Sequence, residues 1–207
     1  MSRDTRFWNR IAKFYFNKPI KDEEAYRIKL ATTQEYLRPD MEILEVGCGT
    51  GGTAIAHAPY VAHVTATDLS DRMIGFAEER KAEAGVSNVD FLPASAAESL
   101  DTQARYDAVL MLSLLHLLDE PEATIQRAAE ILRPGGLLIS NTPCLCGKLG
   151  VMGPILGVGG RLGLVPRTIK QFTQTELMSW IDGAGLKTLH HWKPEGSETV
   201  FTISRMM

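Results

Sequence analysis

The run Ile43-Leu44-Glu45-Val46-Gly47-Cys48-Gly49-Thr50-Gly51-Gly52 decides how this chain is read. A short apolar strand pattern breaks into a turn with glycine at 47, 49 and 51, and helix pattern follows from Thr53 to His57. Glycine serves where the backbone must take a positive φ or approach a ligand closely, since a Cβ collides in either case. A strand, a glycine turn and a helix N-terminus in that order aim bare N–H groups at a nucleotide-like ligand.

Outward from this run the chain alternates strand and helix. Downstream come a strand at Val61–Asp68, a helix at Asp71–Ala84 capped by Ser70 and stopped by Gly85, and a strand at Val89–Pro93. A loop or short helix covers Ser95–Leu100. The strand Tyr106–Leu112 is nearly all apolar, as a strand buried on both faces should be. A helix at Glu122–Leu132 ends at Arg133-Pro134-Gly135-Gly136, and a fifth strand follows at Leu137–Asn141. Upstream, residues 3–37 read as two helices divided by Pro19 and the acidic cluster Asp22-Glu23-Glu24.

The last third changes character. Residues 142–166 are apolar, glycine-rich and almost uncharged. Thr173-Gln174-Thr175-Glu176 resembles a capping box opening a helix to Asp182. Strand patterns at Lys187–Trp192 and Glu198–Arg205 lie too close together for a parallel crossover, so they pair antiparallel. The expectation is an α/β fold: a Rossmann-like, doubly wound seven-stranded sheet, mostly parallel, with an antiparallel C-terminal hairpin and helices on both faces. One domain is expected over 1–207: a helical cap at 1–38, a core at 39–141, an apolar insertion or lid at 142–172, and a helix and hairpin at 173–207.

Composition narrows the function. Hydrophobic residues make up 44% of the chain and charged residues 23%, the balance of a globular protein. A net charge of -3 gives no basic field for nucleic acid. Three cysteines, Cys48, Cys144 and Cys146, are too few for a secreted disulfide framework, and a Cys-x-Cys pair without further ligands gives no reason to expect a metal. No signal peptide and no run of roughly 18 apolar residues is present, so a cytoplasmic address is expected.

The glycine loop satisfies two spacings. Gly47, Gly49 and Gly52 fit the dinucleotide fingerprint, with Asp68 placed to bind a ribose; Gly47, Gly49 and Gly51 fit a denser G-x-G-x-G. Glu45 tips the balance, because a fixed carboxylate there disfavours a pyrophosphate and suits an ammonium or a sulfonium. The stretch after the fifth strand also leaves little room for a separate catalytic domain.

Ile43–Gly52, Asp68, Ala94-Ser95-Ala96-Ala97, Tyr106-Asp107-Ala108-Val109 with Leu115-His116, and Leu132–Gly136 resemble class I S-adenosylmethionine-dependent methyltransferases. They are most similar to the small-molecule branch that methylates quinones and lipids. The resemblance implies S-adenosyl-L-methionine as cofactor, S-adenosyl-L-homocysteine as product, and SN2 transfer to a small, hydrophobic acceptor. It also implies that Gly47, Gly49 and Gly51 pass beneath the methionine part, with Cys48 as a small side chain within the loop. Glu45 would organise the loop and the cofactor's amino end, Asp68 would accept from both ribose hydroxyls, and Leu69 and Met73 would pack on adenine. Ser95 stands where many relatives carry an acid, so the backbone N–H of Ala96 would share adenine recognition. Leu112 would contribute a carbonyl, and Tyr15 and Tyr26 polar contacts. Plainer readings stand beside these: Glu45 and Asp68 as loop and helix caps, Met73 as core, the tyrosines as helix packing.

His116, following the fourth strand, is the candidate catalytic residue, able to accept a proton or simply to pack. His57 and His63 have no motif context, and His190 and His191 fall on the hairpin. Segment 144–166 is expected to close over a lipid-like acceptor or touch a membrane surface, with Lys148, Arg161, Arg167 and Lys170 suiting an anionic headgroup; a packed helical insertion is the alternative. No signal bears on oligomeric state. Two other functions remain open at this point: an NAD-type oxidoreductase, and a cofactor-binding protein that transfers no methyl group.

Overall fold

The computed structural model describes residues 2–144 and 169–207. Two helices come first, α1 (Arg3–Asn17) and α2 (Glu23–Gln34). Each starts on a side-chain cap: Ser2 accepts the Thr5 N–H at 3.0 Å and Asp22 the Ala25 N–H at 2.9 Å. The alternating part follows as β1 (Glu42–Val46), α3 (Gly52–His57), β2 (His63–Asp68), α4 (Asp71–Ala84), β3 (Val89–Pro93), α5 (Ala96–Leu100), β4 (Tyr106–Leu112), α6 (Pro121–Glu130) and β5 (Leu132–Pro143). The chain closes with α7 (Gln174–Gly183), β6 (Leu186–Trp192) and β7 (Thr199–Met206).

The described strands form one sheet in the order β3-β2-β1-β4-β5-β7-β6. β1 to β5 pair parallel, and β7 inserts antiparallel between β5 and β6. This is the expected seven-stranded sheet with its antiparallel hairpin. The strand order reverses between β1 and β4, and ligands of open α/β sheets bind beyond the carboxyl ends of the strands at such a point.

Side chains alternate across the strands, so each face buries its own layer. Ile43, Val64, Leu110, Ile139 and Phe201 pack with Ala54 of α3 and with Ile74 and Ala77 of α4. Leu44, Val109, Met111 and Leu138 pack on the other side with Ile125 and Ala128 of α6 and Leu177 and Ile181 of α7. Leu110 and Ile139 are fully buried, and cutting either back to alanine would cost about 2–5 kcal/mol.

Two expectations need correction at β5. The Arg133-Pro134-Gly135-Gly136 run predicts the stop of a helix reaching Leu132, but α6 ends at Glu130 and the strand begins at Leu132. Leu132 already pairs with Tyr106, and after a register shift Leu137 resumes opposite Ala108. Gly136 lies so close to its neighbours that a Cβ would come 2.8 Å from the Arg133 carbonyl and 3.1 Å from that of Asp107. At the other end Thr142 and Pro143, expected to open the insertion, are the last rungs of β5 opposite Val200 and Thr199. The expected lid at 144–166 falls, Cys144 apart, outside the described residues.

The same turn fastens the amino-terminal edge of the sheet. Arg133 pairs with Glu42 at 2.6 Å and with Asp107 at 2.5 Å, and Asp107 accepts the Glu42 N–H at 2.8 Å. β1, β4 and β5 are thus clipped together at the end opposite the glycine loop.

Candidate functional site

The glycine loop hangs from the end of β2. Gly47 and Cys48 both donate their N–H to the Thr67 carbonyl at 2.8 Å, and Gly49 donates to Asp68 Oδ2 at 2.9 Å. Gly47, Gly49 and Gly51 all have positive φ, but they serve different ends. A Cβ on Gly51 would lie 2.6 Å from Phe91 Cζ and 2.8 Å from Ala77 Cβ, so that glycine answers to packing. A Cβ on Gly49 would meet nothing within 4 Å; its backbone faces open space.

The N-terminal helices are tied down around this loop. Arg80 of α4 donates to the Thr50 hydroxyl at 2.8 Å and to the Phe16 carbonyl at 3.0 Å, and lies 4.6 Å over the Phe16 ring. Asn9 Oδ1 accepts the Ser70 hydroxyl at 2.5 Å and the Arg72 N–H at 3.3 Å. One helix therefore bridges the glycine loop and the start of α4.

A cavity of about 440 Å³ opens beside the loop. Glu45, Gly47, Cys48 and Gly49 form one wall, and Tyr15, Tyr26, Lys29 and Leu30 come from the N-terminal helices. Leu112, Ser113, Asn141 and Phe201, from the ends of β4 and β5 and from β7, line it as well. Among its lining residues Glu45, His57 and Asn141 carry buried atoms without a partner, while Asp68 lies next to the loop and not in the lining. Glu45 is 3% exposed and its Oε2 has no hydrogen-bond partner. Burial, and secondarily the Asp68 charge, raise its carboxyl to about 8. Burial also raises Asp68, against the N–H groups of Ser70 and Gly49 that favour its ionised form. Cys48 is pushed well up by burial and then by the Glu45 and Asp68 charges, so it stays a thiol and no nucleophile. Burial raises both tyrosines, with Tyr15 feeling Asp68 and the Tyr26 hydroxyl bonded to Thr53. His57 Nδ1 and Asn141 Oδ1 are likewise buried without partners in this cavity.

A family model described as a methyltransferase domain matches residues 43–136, from β1 into the start of β5. A ubiquinone biosynthesis O-methyltransferase of Salmonella enteritidis is 27% identical over 199 residues, covering 92% of this chain and 80% of that protein. Residues 43–136 are a methyltransferase domain. Among solved structures, the N-methyltransferase NodS from Bradyrhizobium japonicum, in complex with S-adenosylhomocysteine, superposes with a TM-score of 0.74 at 16% identity over 99% of both chains. Magnesium protoporphyrin IX methyltransferase from Synechocystis, also with bound S-adenosylhomocysteine, gives 0.72 at 17% identity over 98% of both chains. A methyltransferase domain speaks against the oxidoreductase alternative.

These neighbours with bound S-adenosylhomocysteine support S-adenosylmethionine as the cofactor, and the residues present suit its charge. An unpartnered buried carboxyl at Glu45 is what an incoming cation would satisfy, and the open space over Gly49 leaves the approach clear. Among the described residues, no group of three His, Cys, Asp or Glu side chains could hold a metal ion, and no helix is long and apolar enough to cross a membrane.

The other sequence candidates distribute unevenly. Asp68 and half-buried Leu69 stand at the end of β2, and Ala94 donates its N–H to the Asp68 carbonyl at 2.9 Å, which brings Ser95 and Ala96 alongside. The Ser95 hydroxyl is already engaged: it donates to Glu98 Oε2 at 2.6 Å and accepts the Glu98 N–H at 3.2 Å as the cap of α5. Met73 is 2% exposed within the methyltransferase core. His116 sits in a 3₁₀ turn at Leu115–Leu117, is lowered by burial to about 4, and does not line the cavity. His57, given no role from the sequence, does line it and is lowered by burial to about 4 as well. Arg80, Asn9, Ser113 and Asn141 were also missed. A polar residue ending an apolar strand was the one available signal, at Asn141.

Proposed function

We propose that this methyltransferase moves the donor methyl to a hydroxyl oxygen of a small, largely apolar, lipid-like acceptor by in-line SN2 displacement. The observation that carries this is the continuity of one cavity, with Glu45 and the glycine loop on one side and Leu30, Leu112 and Phe201 on the others. Relatives named for O-methylation in ubiquinone biosynthesis support oxygen as the nucleophile and a lipid-like acceptor. When bound, the cofactor supplies an electrophilic methyl on a sulfonium.

The chain's own part is binding and alignment. Glu45 would hold the cofactor's ammonium, since a desolvated carboxyl gains most when a positive charge arrives. Each Asp68 oxygen accepts one backbone N–H and keeps acceptor capacity for ribose hydroxyls. Leu69 and the Ala96 N–H would frame adenine, while Tyr15 and Tyr26 flank the opening. Apolar walls exclude water and align the nucleophile, and that alignment supplies much of the rate. For the acceptor's proton, His57 is placed better than His116: both are held neutral, and of the two His57 lines the cavity.

Calorimetric titration with S-adenosylmethionine, S-adenosylhomocysteine and NADH, followed by methyl transfer to a long-chain alkylcatechol and to its dimethyl ether, tests this. Binding of both sulfur ligands, lost in Asp68→Ala, with methylation of the catechol alone is expected. Transfer to amines but to no hydroxyl would overturn it.

A further inference from the structure

The carboxyl ends of β4 and β5 hold a polar pair that the function described so far does not use. Ser113, directly after β4, has a φ of +57, alone among the described non-glycine residues in being left-handed. Strain of this kind persists only where surrounding structure enforces it, and it collects at ligand sites. The enforcing partner is Asn141. The Ser113 N–H donates to the Asn141 carbonyl at 2.6 Å, and Asn141 Nδ2 donates to Ser113 Oγ at 3.3 Å.

Asn141 is 7% exposed, and its Oδ1 has no partner. A buried amide left half-satisfied is destabilising, and the residues opposite it, Leu112 on β4 and Phe201 on β7, are apolar. Both residues line the cavity that contains Glu45 and the glycine loop. Two independent unfavourable features, backbone strain and an orphaned polar atom, thus meet in one wall of the cavity. Local rules broken without a folding gain mark sites kept for binding.

We propose that Asn141, held by Ser113, binds a hydroxyl of the methyl acceptor and so selects protic acceptors over their ethers. This rests on the cavity being shared by donor and acceptor. The Ser113 hydroxyl can donate or accept, so the amide can present either its oxygen or its NH₂ to the cavity. A hydroxyl, donor and acceptor at once, satisfies both presentations. A carboxylate would satisfy the NH₂ alone and would share the cavity with Glu45.

The test separates donor from acceptor. Wild type, Asn141→Leu and the milder Asn141→Ser are titrated with S-adenosylhomocysteine by calorimetry. Each is then melted, saturated with that ligand, in the presence of catechol or of 1,2-dimethoxybenzene. In Asn141→Leu the affinity for S-adenosylhomocysteine should be unchanged within about threefold, the unliganded protein should melt higher, and the stabilisation by catechol should vanish. Asn141→Ser, which keeps a hydroxyl of its own, should retain part of that stabilisation. Any methyl transfer to catechol should show KM raised about three- to tenfold in Asn141→Leu, the loss of one ligand hydrogen bond.

Catechol and its dimethyl ether stabilising wild type equally, or neither doing so, would sink the assignment, as would a Leu variant that still responds to catechol. Lost S-adenosylhomocysteine binding in the variants alone would place Asn141 with the donor instead. Wild type that fails to bind S-adenosylhomocysteine would overturn the shared cavity itself, a result distinct from normal donor binding without a catechol effect.

Discussion

The Asp68 carboxylate accepts the Gly49 N–H through one oxygen and the Ser70 N–H through the other, both at 2.9 Å. A single side chain therefore sets the donor loop and the entry to α4 together. Asp68→Ala leaves both amides without that partner and should cost about 1–3 kcal/mol in stability. S-adenosylmethionine affinity should fall by at least about a hundredfold, since two hydrogen bonds to a charged group are lost at about 1.5–3 kcal/mol each. Asp68→Asn, which keeps one acceptor oxygen, should fall between. Unchanged affinity in Asp68→Ala, read by calorimetry, contradicts the placement.

Glu45 should make donor binding release a proton. Its carboxyl is raised to about 8 by burial and by Asp68, from an ordinary 4.5. The folded chain holds the proton across that window while the unfolded chain has lost it. Stability therefore declines as pH rises from about 4.5 to 8, by at most about 1.4 kcal/mol per pH unit. Glu45→Gln should melt above wild type at pH 8 and bind S-adenosylmethionine about 10- to 100-fold more weakly, the worth of a charged hydrogen bond. Calorimetry of wild type at pH 7 in buffers of different ionisation enthalpy should count up to one proton released; a count of zero rejects the idea.

Arg80→Met should loosen α1. It removes the donors to Thr50 and Phe16 and the cation over the Phe16 ring. Amide hydrogen exchange across Arg3–Asn17 should speed up while β4 and β5 stay protected. Arg80→Lys should not rescue, because one ammonium cannot span partners that the planar guanidinium reaches in two directions.

Acid should act through His57. Burial lowers it from 6.5 to about 4, so the unfolded chain takes up a proton between those values and the folded chain does not. Stability should fall as pH drops through that range, by at most about 1.4 kcal/mol per pH unit. His57→Gln should flatten this limb in part, since burial lowers His116 in the same way. A limb of unchanged slope in the variant removes His57 from the account.

Sequence periodicity was most legible where local chemistry sets the limits. α4 runs from its Ser70 cap to the left-handed Gly85, and β3 covers Val89–Pro93, both as expected. It misled at Pro134-Gly135-Gly136, where residues that stop a helix also permit a bulge inside a strand. Within the site, the glycine loop and Asp68 were visible because they lie in one motif. Arg80 with Thr50, Asn9 with Ser70, and Asn141 with Ser113 were not, since each pair is joined by the fold and not by spacing. The engaged hydroxyl of Ser95 is the converse case: a capping box four residues long, Ser95 to Glu98, took a side chain expected at the cofactor.

The clip of Arg133 with Glu42 and Asp107 gives the sheet a hinge side and a mouth side. Three strands are bolted where no chemistry happens, and the opposite ends carry unpaired polar atoms and a strained serine. Warming should consequently blunt the mouth first: catalytic capacity would decay ahead of the loss of helix signal, and the two melting curves would not superimpose.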